Sequence, residues 1–142
     1  MTRDSRREAI QQDLRQCAAA MKAARALRDM GLYNDALSRL YYALYHATTA
    51  LLLTEGVEPR RHRAVARLLS THFLPTGVLT AEDVAAVGRT QSYRDLADYE
   101  RSWEATPGIA DEAFTSVEPL IARIQKILDD GGWTRPLAPD EP

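Results

Sequence analysis

The sequence predicts an all-α protein, an antiparallel up-and-down bundle of four or five helices. Apolar residues recur at spacings of three and four along most of the chain, which is the period of an amphipathic helix. Signals for β-strands are nearly absent, because no long run alternates apolar with polar residues and no Asn-Gly or Asp-Gly turn joins two strand-like runs. Amphipathic helices with short connections pack as antiparallel neighbours, and this packing defines the predicted bundle.

Turn and capping residues divide the chain into five predicted helices. They cover about residues 5–30, 34–55, 60–73, 80–103 and 109–130. Asn34 or Asp35 is expected to cap the second helix, and Thr80 to cap the fourth in a capping box. The second helix is the most apolar, so we expect it to lie centrally with four leucines facing the core: Leu32, Leu37, Leu44 and Leu51.

Length and composition indicate one globular domain. Apolar residues make up 45% of the 142-residue chain and charged residues 27%, a balance typical of a globular rather than a disordered protein. Residues 1–130 are predicted to form the bundle. Residues 131–142 contain three prolines and two acidic residues, and we expect a flexible tail from which Trp133 can pack back onto the bundle.

Secretion and membrane insertion are not expected. The apolar run at 41–53 is interrupted by polar residues and is shorter than the roughly 20 apolar residues of a transmembrane helix. Residues 2–16 are rich in charge, unlike a secretory signal. Cys17 is the single cysteine, so no intrachain disulfide can form. We therefore expect a cytoplasmic protein.

The charge distribution is uneven along the chain. The formal net charge of -2 argues against a protein that coats nucleic acid indiscriminately. Basic residues concentrate in the first half, and acidic residues dominate from Glu82 onward. This asymmetry suits one face that meets a polyanion and another that meets a basic partner, although ordinary solvated helix faces explain any single arginine equally well.

Two polar side chains on the most apolar helix carry the functional prediction. Arg39 and His46 are seven residues apart, which is two helical turns, so they project from nearly the same face. A guanidinium and an imidazole are costly to bury on such a face. Histidine moves protons near neutral pH, and arginine is a permanent cation whose fork matches phosphate. Together they suit phosphoryl chemistry on a ligand that brings its own nucleophile.

Three blocks of this sequence resemble the HEPN family and occur in that family's order. The run from Arg39 to His46 resembles the family's Arg-(four to six residues)-His motif, here with six intervening residues, and Tyr-Tyr-Ala-Leu-Tyr-His-Ala at 41–47 resembles a run of small stand-alone members. His-Arg-Ala-Val at 62–65, with parts of 72–79, resembles the third-helix segment. Arg-Asp-Leu-Ala-Asp-Tyr at 94–99 resembles the Arg-x-x-Ala-Asp-Tyr segment.

The resemblance implies a fold, an activity and partners. Such proteins are four- or five-helix bundles that commonly form homodimers, in which two Arg/His sets meet in a shared cleft. Active members cut RNA with no metal and no cofactor, and many are toxins paired with a minimal nucleotidyltransferase antitoxin. On this chain His46 would act as general acid or base, and Arg39 would stabilise charge on the phosphate. The products would be a 2′,3′-cyclic phosphate and a 5′-hydroxyl.

The resemblance also implies supporting residues. Asp98 and Tyr99 would orient or polarise the Arg39/His46 pair, because family members keep this segment near the cleft, and Tyr42 is a further supporting candidate.

Two departures from the family pattern leave an alternative open. Leu40 follows Arg39, where the most active toxins carry a polar residue. Thr48 occupies the position at which one toxin branch carries a tyrosine that the antitoxin adenylylates, which argues against regulation by that route. The alternative is a non-catalytic module of the same fold that binds a nucleotide or a nucleotidyltransferase partner.

Each candidate residue also has a purely structural interpretation. Arg39 can be a buried cation paired with an acid such as Asp98, with His46 as an interhelical hydrogen-bond donor. The tyrosines at 41, 42 and 45 are best explained by core and interface packing, with stacking on an RNA base as the functional alternative.

The basic run at 60–63 has two interpretations of equal standing. Arg60, Arg61, His62 and Arg63 form either a charged helix start or a phosphate-binding segment for RNA, and arginine at a helix N-terminus favours an anion there. No carboxylate lies at ligand spacing around the histidines, so we predict no metal site.

Overall fold

The structure, a computed structural model, describes residues 1–137 and is all-helical over that range, which confirms the predicted fold class. A single 3-10 turn at His62–Ala64 precedes the third α-helix. The α-helices are α1 (Arg3–Asp29), α2 (Tyr33–Leu53), α3 (Val65–Phe73), α4 (Ala81–Tyr99) and α5 (Pro107–Asp130).

The second helix lies at the centre of the bundle, as predicted. It packs most extensively on α1, to which a short turn around Gly31 connects it, and it also contacts α3, α4 and α5. More than half of its residues are buried, including Leu37, Leu44 and Leu51. Leu32 was expected to face the core, but it precedes the helix and is 44% exposed, so that prediction was wrong.

Capping was predicted correctly for α4 and wrongly for α2. Thr80 forms the expected capping box, since its hydroxyl accepts from the backbone N–H of Asp83 (3.1 Å) and the Asp83 carboxylate accepts from the Thr80 N–H (2.9 Å). The N-cap of α2 is Leu32, which makes no side-chain cap. Asn34 instead bonds the loop before α5, donating to the Trp103 carbonyl (3.0 Å) and accepting from the Ala105 N–H (2.8 Å).

The segment after α5 packs against α1 through one aromatic ring. Trp133 is buried, and the guanidinium of Arg3 lies 4.1 Å from its ring centroid. The side-chain amide of Gln11 donates to the carbonyls of Trp133 (3.1 Å) and Arg135 (2.7 Å). Residues 138–142 of the predicted tail lie outside the described residues.

Within residues 1–137, none of the five helices combines the length and the apolar character needed to cross a bilayer.

Candidate functional site

Arg39 and His46 open onto one groove at the surface between α1 and α2. The groove has a volume of about 290 Å³. Arg39 is exposed and the His46 side chain is 25% exposed, so both are reachable from solvent. Helix α2 contributes Arg39, Tyr42 and His46, and α1 contributes the opposite wall: Gln16, Ala19, Ala20 and Ala23.

Small side chains on α1 leave the space that forms this groove. Ala19, Ala20 and Ala23 recur at spacings of one, three and four residues, so they share one side of the helix. They face the longer side chains of Arg39 and His46 across the groove. The groove keeps both polar groups within reach of solvent. They therefore avoid the free-energy cost of full burial on this apolar helix.

Asp13 of α1 holds the imidazole of His46. The Asp13 Oδ1 atom lies 3.0 Å from His46 Nδ1, and the carboxylate side chain is only 19% exposed. A carboxylate oxygen accepts a hydrogen bond from a histidine Nδ1–H, and this bond orients the ring. Within residues 1–137, Nε2 makes no hydrogen bond, so it is the ring nitrogen available to a ligand.

Asp13 is a site residue that sequence reasoning missed. The signal was present, because Asp13 lies three residues after Ile10 and four before Cys17, both of which are buried on the inner face of α1. An acidic residue at helical spacing within an apolar face needs a partner to offset its burial. The structure identifies that partner as His46, on the neighbouring helix.

The charge of Arg39 has no carboxylate partner within residues 1–137. Its guanidinium carbon lies 5.2 Å from the ring centroid of Tyr42, a distance at which a cation is attracted to an aromatic face. Tyr42 lines the same groove. The positive charge of Arg39 therefore remains available to an anion that enters the groove.

Asp98 contacts neither Arg39 nor His46. Its carboxylate accepts a hydrogen bond from the hydroxyl of Ser38 and lies 3.1 Å from Nε of Arg94. The Arg94 Nη2 atom in turn donates to the Tyr42 hydroxyl (2.9 Å). Asp98 thus reaches the groove only indirectly, through Arg94 and Tyr42, and the alternative pairing of Arg39 with Asp98 is not the one observed.

His62 is held within an aromatic cluster beside the groove. Its Nδ1 atom lies 2.7 Å from the Tyr41 hydroxyl, and its ring stacks on Tyr45 with centroids 4.2 Å apart. Burial lowers the pKa of His62 below its ordinary value, and the positive charge of Arg94 lowers it further. Burial also raises the pKa of Tyr41. His62 is therefore neutral at neutral pH, with its ring orientation set by the two tyrosines.

The predicted basic segment contributes to a second pocket, which we call the Arg61–Tyr99 pocket. It has a volume of about 490 Å³ and opens beside α4. Arg60 is not among its lining residues, whereas Tyr99 is and has 73% of its surface exposed. The pocket is lined by Arg61, His62, Arg63, Gln91, Arg94, Asp95 and Tyr99.

Residues 1–137 contain no group of three or more histidine, cysteine, aspartate or glutamate side chains that could hold a metal ion.

Comparison with known proteins matches the chain to one family. A model of the HEPN domain matches residues 10–127. The chain is 30% identical over 124 residues to "Putative toxin MJ0605" of Methanocaldococcus jannaschii, a match that covers 87% of this chain and 92% of that protein. It is 31% identical over 85 residues to "Putative toxin MJ0142" of the same organism, covering 60% and 58%. It is 34% identical over 88 residues to "UPF0332 protein PH1297" of Pyrococcus horikoshii, covering 62% and 61%.

Proposed function

We propose that this chain, which belongs to the HEPN domain family, is a metal-independent endoribonuclease and the toxin of a toxin–antitoxin pair. The observation that carries the proposal is the shared groove, in which a guanidinium with no carboxylate partner among residues 1–137 and a carboxylate-held imidazole face the same open space. These are the two groups that cleavage at a ribose needs: one that transfers a proton and one that carries permanent positive charge.

The proposed reaction is an attack by the substrate's own ribose. The 2′-oxygen forms a bond to phosphorus, and the bond from phosphorus to the 5′-oxygen breaks, which leaves a 2′,3′-cyclic phosphate and a 5′-hydroxyl. The 2′-hydroxyl loses a proton and the 5′-oxygen gains one. His46 Nε2 carries out one of these two transfers, and positioned acid–base catalysis of this kind contributes about 10²–10⁴-fold in rate.

Arg39 and Asp13 have separate roles in this scheme. Arg39 stabilises the negative charge that develops on the phosphate oxygens, and removal of such an aimed donor costs about 10²–10³-fold in rate. Asp13 is a positioning residue, since it holds Nδ1 of His46 and so leaves Nε2 for the substrate. The carboxylate also stabilises the imidazolium that forms when His46 takes up a proton.

The toxin assignment is supported by the relatives and by the family resemblance. Two of the relatives bear the word toxin in their names. The proposed partner is an antitoxin of the minimal nucleotidyltransferase type, and the proposed assembly is a homodimer that brings two grooves together. The antitoxin and the second copy of the chain are both implied by the family resemblance. The proposed compartment is the cytoplasm.

The test is cleavage of single-stranded RNA by the purified chain in the presence of a metal chelator. The unmodified protein is expected to release fragments that end in a 2′,3′-cyclic phosphate. Arg39→Ala and His46→Ala should each lose this activity while keeping the circular dichroism spectrum and melting temperature. Lys126→Ala, which removes an exposed cation on α5, is the matched control and should cut normally. Equal cleavage by His46→Ala, or none by the unmodified protein, would overturn the proposal.

A second candidate function is a non-catalytic module that binds a nucleotidyltransferase partner, and Leu40 favours it. The side chain of Leu40 is fully buried, so the residue after Arg39 adds no polar group to the groove. This function predicts intact RNA under every condition, together with a stable complex when a nucleotidyltransferase encoded beside this chain is co-expressed and the two are purified together.

A further inference from the structure

The Arg61–Tyr99 pocket is built around an arginine whose position is set from several sides. The Arg94 guanidinium lies 5.3–5.5 Å from three tyrosine rings, those of Tyr41, Tyr42 and Tyr99. It also donates to the Tyr42 hydroxyl and pairs with Asp95 (3.3 Å) and Asp98 (3.1 Å). Because these contacts hold Arg94 in place, the ring of Tyr99 has a rigid neighbour rather than a mobile one.

Tyr99 offers an open aromatic surface at the rim of this pocket. Its side chain is among the most exposed large hydrophobic side chains of the described chain, at 73%. Arg94 lies near the ring, and the remaining surface is open to a planar ligand. Exposed tyrosine rings that lie beside arginine are the platforms on which single-stranded nucleic acids stack their bases.

The charges around the pocket favour an anion. Arg61 and Arg63 are both exposed on the segment before α3, and Arg94 of α4 lines the same pocket. Asp95 is the acidic residue in the lining, and it already lies 3.3 Å from Arg94 and 3.8 Å from Arg63. Three guanidiniums against the carboxylates of Asp95 and Asp98, the latter paired with Arg94 from outside the lining, leave one positive charge in excess, which suits a phosphate.

We propose that the Arg61–Tyr99 pocket is a second subsite for single-stranded RNA, in which one nucleotide flanking the cleavage site stacks its base on Tyr99 and places its phosphate against Arg61 and Arg63. This inference rests on the proposed function, which supplies the RNA strand. It adds which residues bind that strand beside the cleavage site. Tyr42 connects the two sites, because its ring lines the groove and its hydroxyl accepts from Arg94.

The test measures binding in the absence of cleavage. The full chain carrying His46→Ala is titrated into a short fluorescein-labelled single-stranded RNA, and anisotropy is followed at several salt concentrations. Adding Tyr99→Ala should weaken binding by about 5- to 100-fold, the usual effect of losing one base–aromatic stack. Tyr99→Phe keeps the ring and should bind as the His46→Ala protein does.

The arginines are tested through the salt dependence. Replacing both Arg61 and Arg63 by alanine should reduce the slope of log K against log salt by about 0.7, the value for one lost phosphate contact on a single strand. Lys126→Ala removes one exposed positive charge outside the pocket and should leave the slope unchanged. Asp95→Asn removes the negative charge from the lining and should tighten binding.

Two results would overturn the proposal: equal binding by Tyr99→Ala and Tyr99→Phe, or the same salt slope for the arginine variant and Lys126→Ala. Competition by adenosine monophosphate distinguishes an RNA strand from a free nucleotide as the ligand of the pocket. Displacement of the labelled RNA only by a large excess of the nucleotide indicates an RNA strand. Displacement by a nucleotide that binds with the same affinity as the RNA indicates a free nucleotide. If the protein binds RNA through Tyr99 but never cuts it, the proposal of the subsite stands and the proposal of the nuclease fails.

Discussion

At the scale of single residues, His46 shows how a neighbouring helix decides what a side chain can do. Its position on α2 places it at the groove, and Asp13 on α1 determines which of its ring nitrogens is engaged. A carboxylate bonded to a histidine nitrogen orients the ring and leaves the other nitrogen for chemistry. His62 is held differently, by a tyrosine hydroxyl and a stacked ring.

Asp13→Asn and Asp13→Ala should differ in RNA cleavage. The Asn side chain still accepts a hydrogen bond from Nδ1–H and loses only the charge, whereas Ala loses both. We expect Ala to reduce the cleavage rate by roughly 10- to 100-fold, the cost of removing a partner that orients a metal-bound histidine, and Asn to reduce it less. Nitrogen NMR of the His46 ring should show one tautomer in the unmodified protein and a mixture in Asp13→Ala. A rate for Asp13→Ala equal to that of the unmodified protein would show that Asp13 does not position His46.

His62 should make folding stability depend on pH. Because the folded chain lowers the pKa of His62 below 6.5, the unfolded chain binds more protons as the pH falls through 6.5. The free energy of unfolding should therefore decrease from that pH downward, until the lower folded pKa is passed. His62→Asn removes this contribution, so the difference in urea midpoint between the two proteins should shrink below pH 6.5. A constant difference would contradict the prediction.

At the scale of helices, α2 combines a buried majority with one polar edge. Its leucines and alanines fill the centre of the bundle, while Arg39, Tyr42 and His46 line the groove beside α1. Burial of the apolar face supplies the free energy that keeps the polar edge in place, since apolar burial is the main favourable contribution to folding. The position of the site residues therefore depends on α2, whose stability comes from its buried apolar face and not from those residues.

Two leucines near the start of α2 provide a matched test of this burial. Leu37 is fully buried, whereas Leu32 is 44% exposed. Leu37→Ala should reduce the free energy of unfolding by about 2–5 kcal/mol, because it leaves a cavity in the core. Leu32→Ala should change it by less than about 0.5 kcal/mol, as surface substitutions do. Urea denaturation measures both, and similar losses would contradict the central position of α2.

At the scale of the whole molecule, the candidate site exists only because two helices pack side by side. The groove needs small side chains on α1 opposite long polar ones on α2. Arg94 on α4 then links Tyr42 of the groove to the Arg61–Tyr99 pocket. The two pockets together draw residues from α1, α2, α4 and the segment before α3.

Adjacent alanines on α1 test whether the groove is where RNA is cut. Ala19 lines the groove, while Ala18 is exposed and lies outside the lining. Ala19→Phe should fill the groove and abolish cleavage, because the substrate can no longer approach His46. Ala18→Phe adds the same side chain one position away and should leave cleavage intact. The chelator assay with single-stranded RNA measures both, and melting temperatures confirm folding. Normal cleavage by Ala19→Phe would place the reaction elsewhere.

The sequence by itself determined the helical class, the central position of α2 and the common face of Arg39 and His46. These follow from periodicity within one helix, which is a local property. Only the tertiary structure decided that Asp13 pairs with His46, that Asp98 pairs with Ser38, and that Asn34 bonds the loop before α5 instead of capping α2. Those contacts join residues that are distant along the chain, so they depend on how helices are placed against one another, which the period of a single helix does not encode.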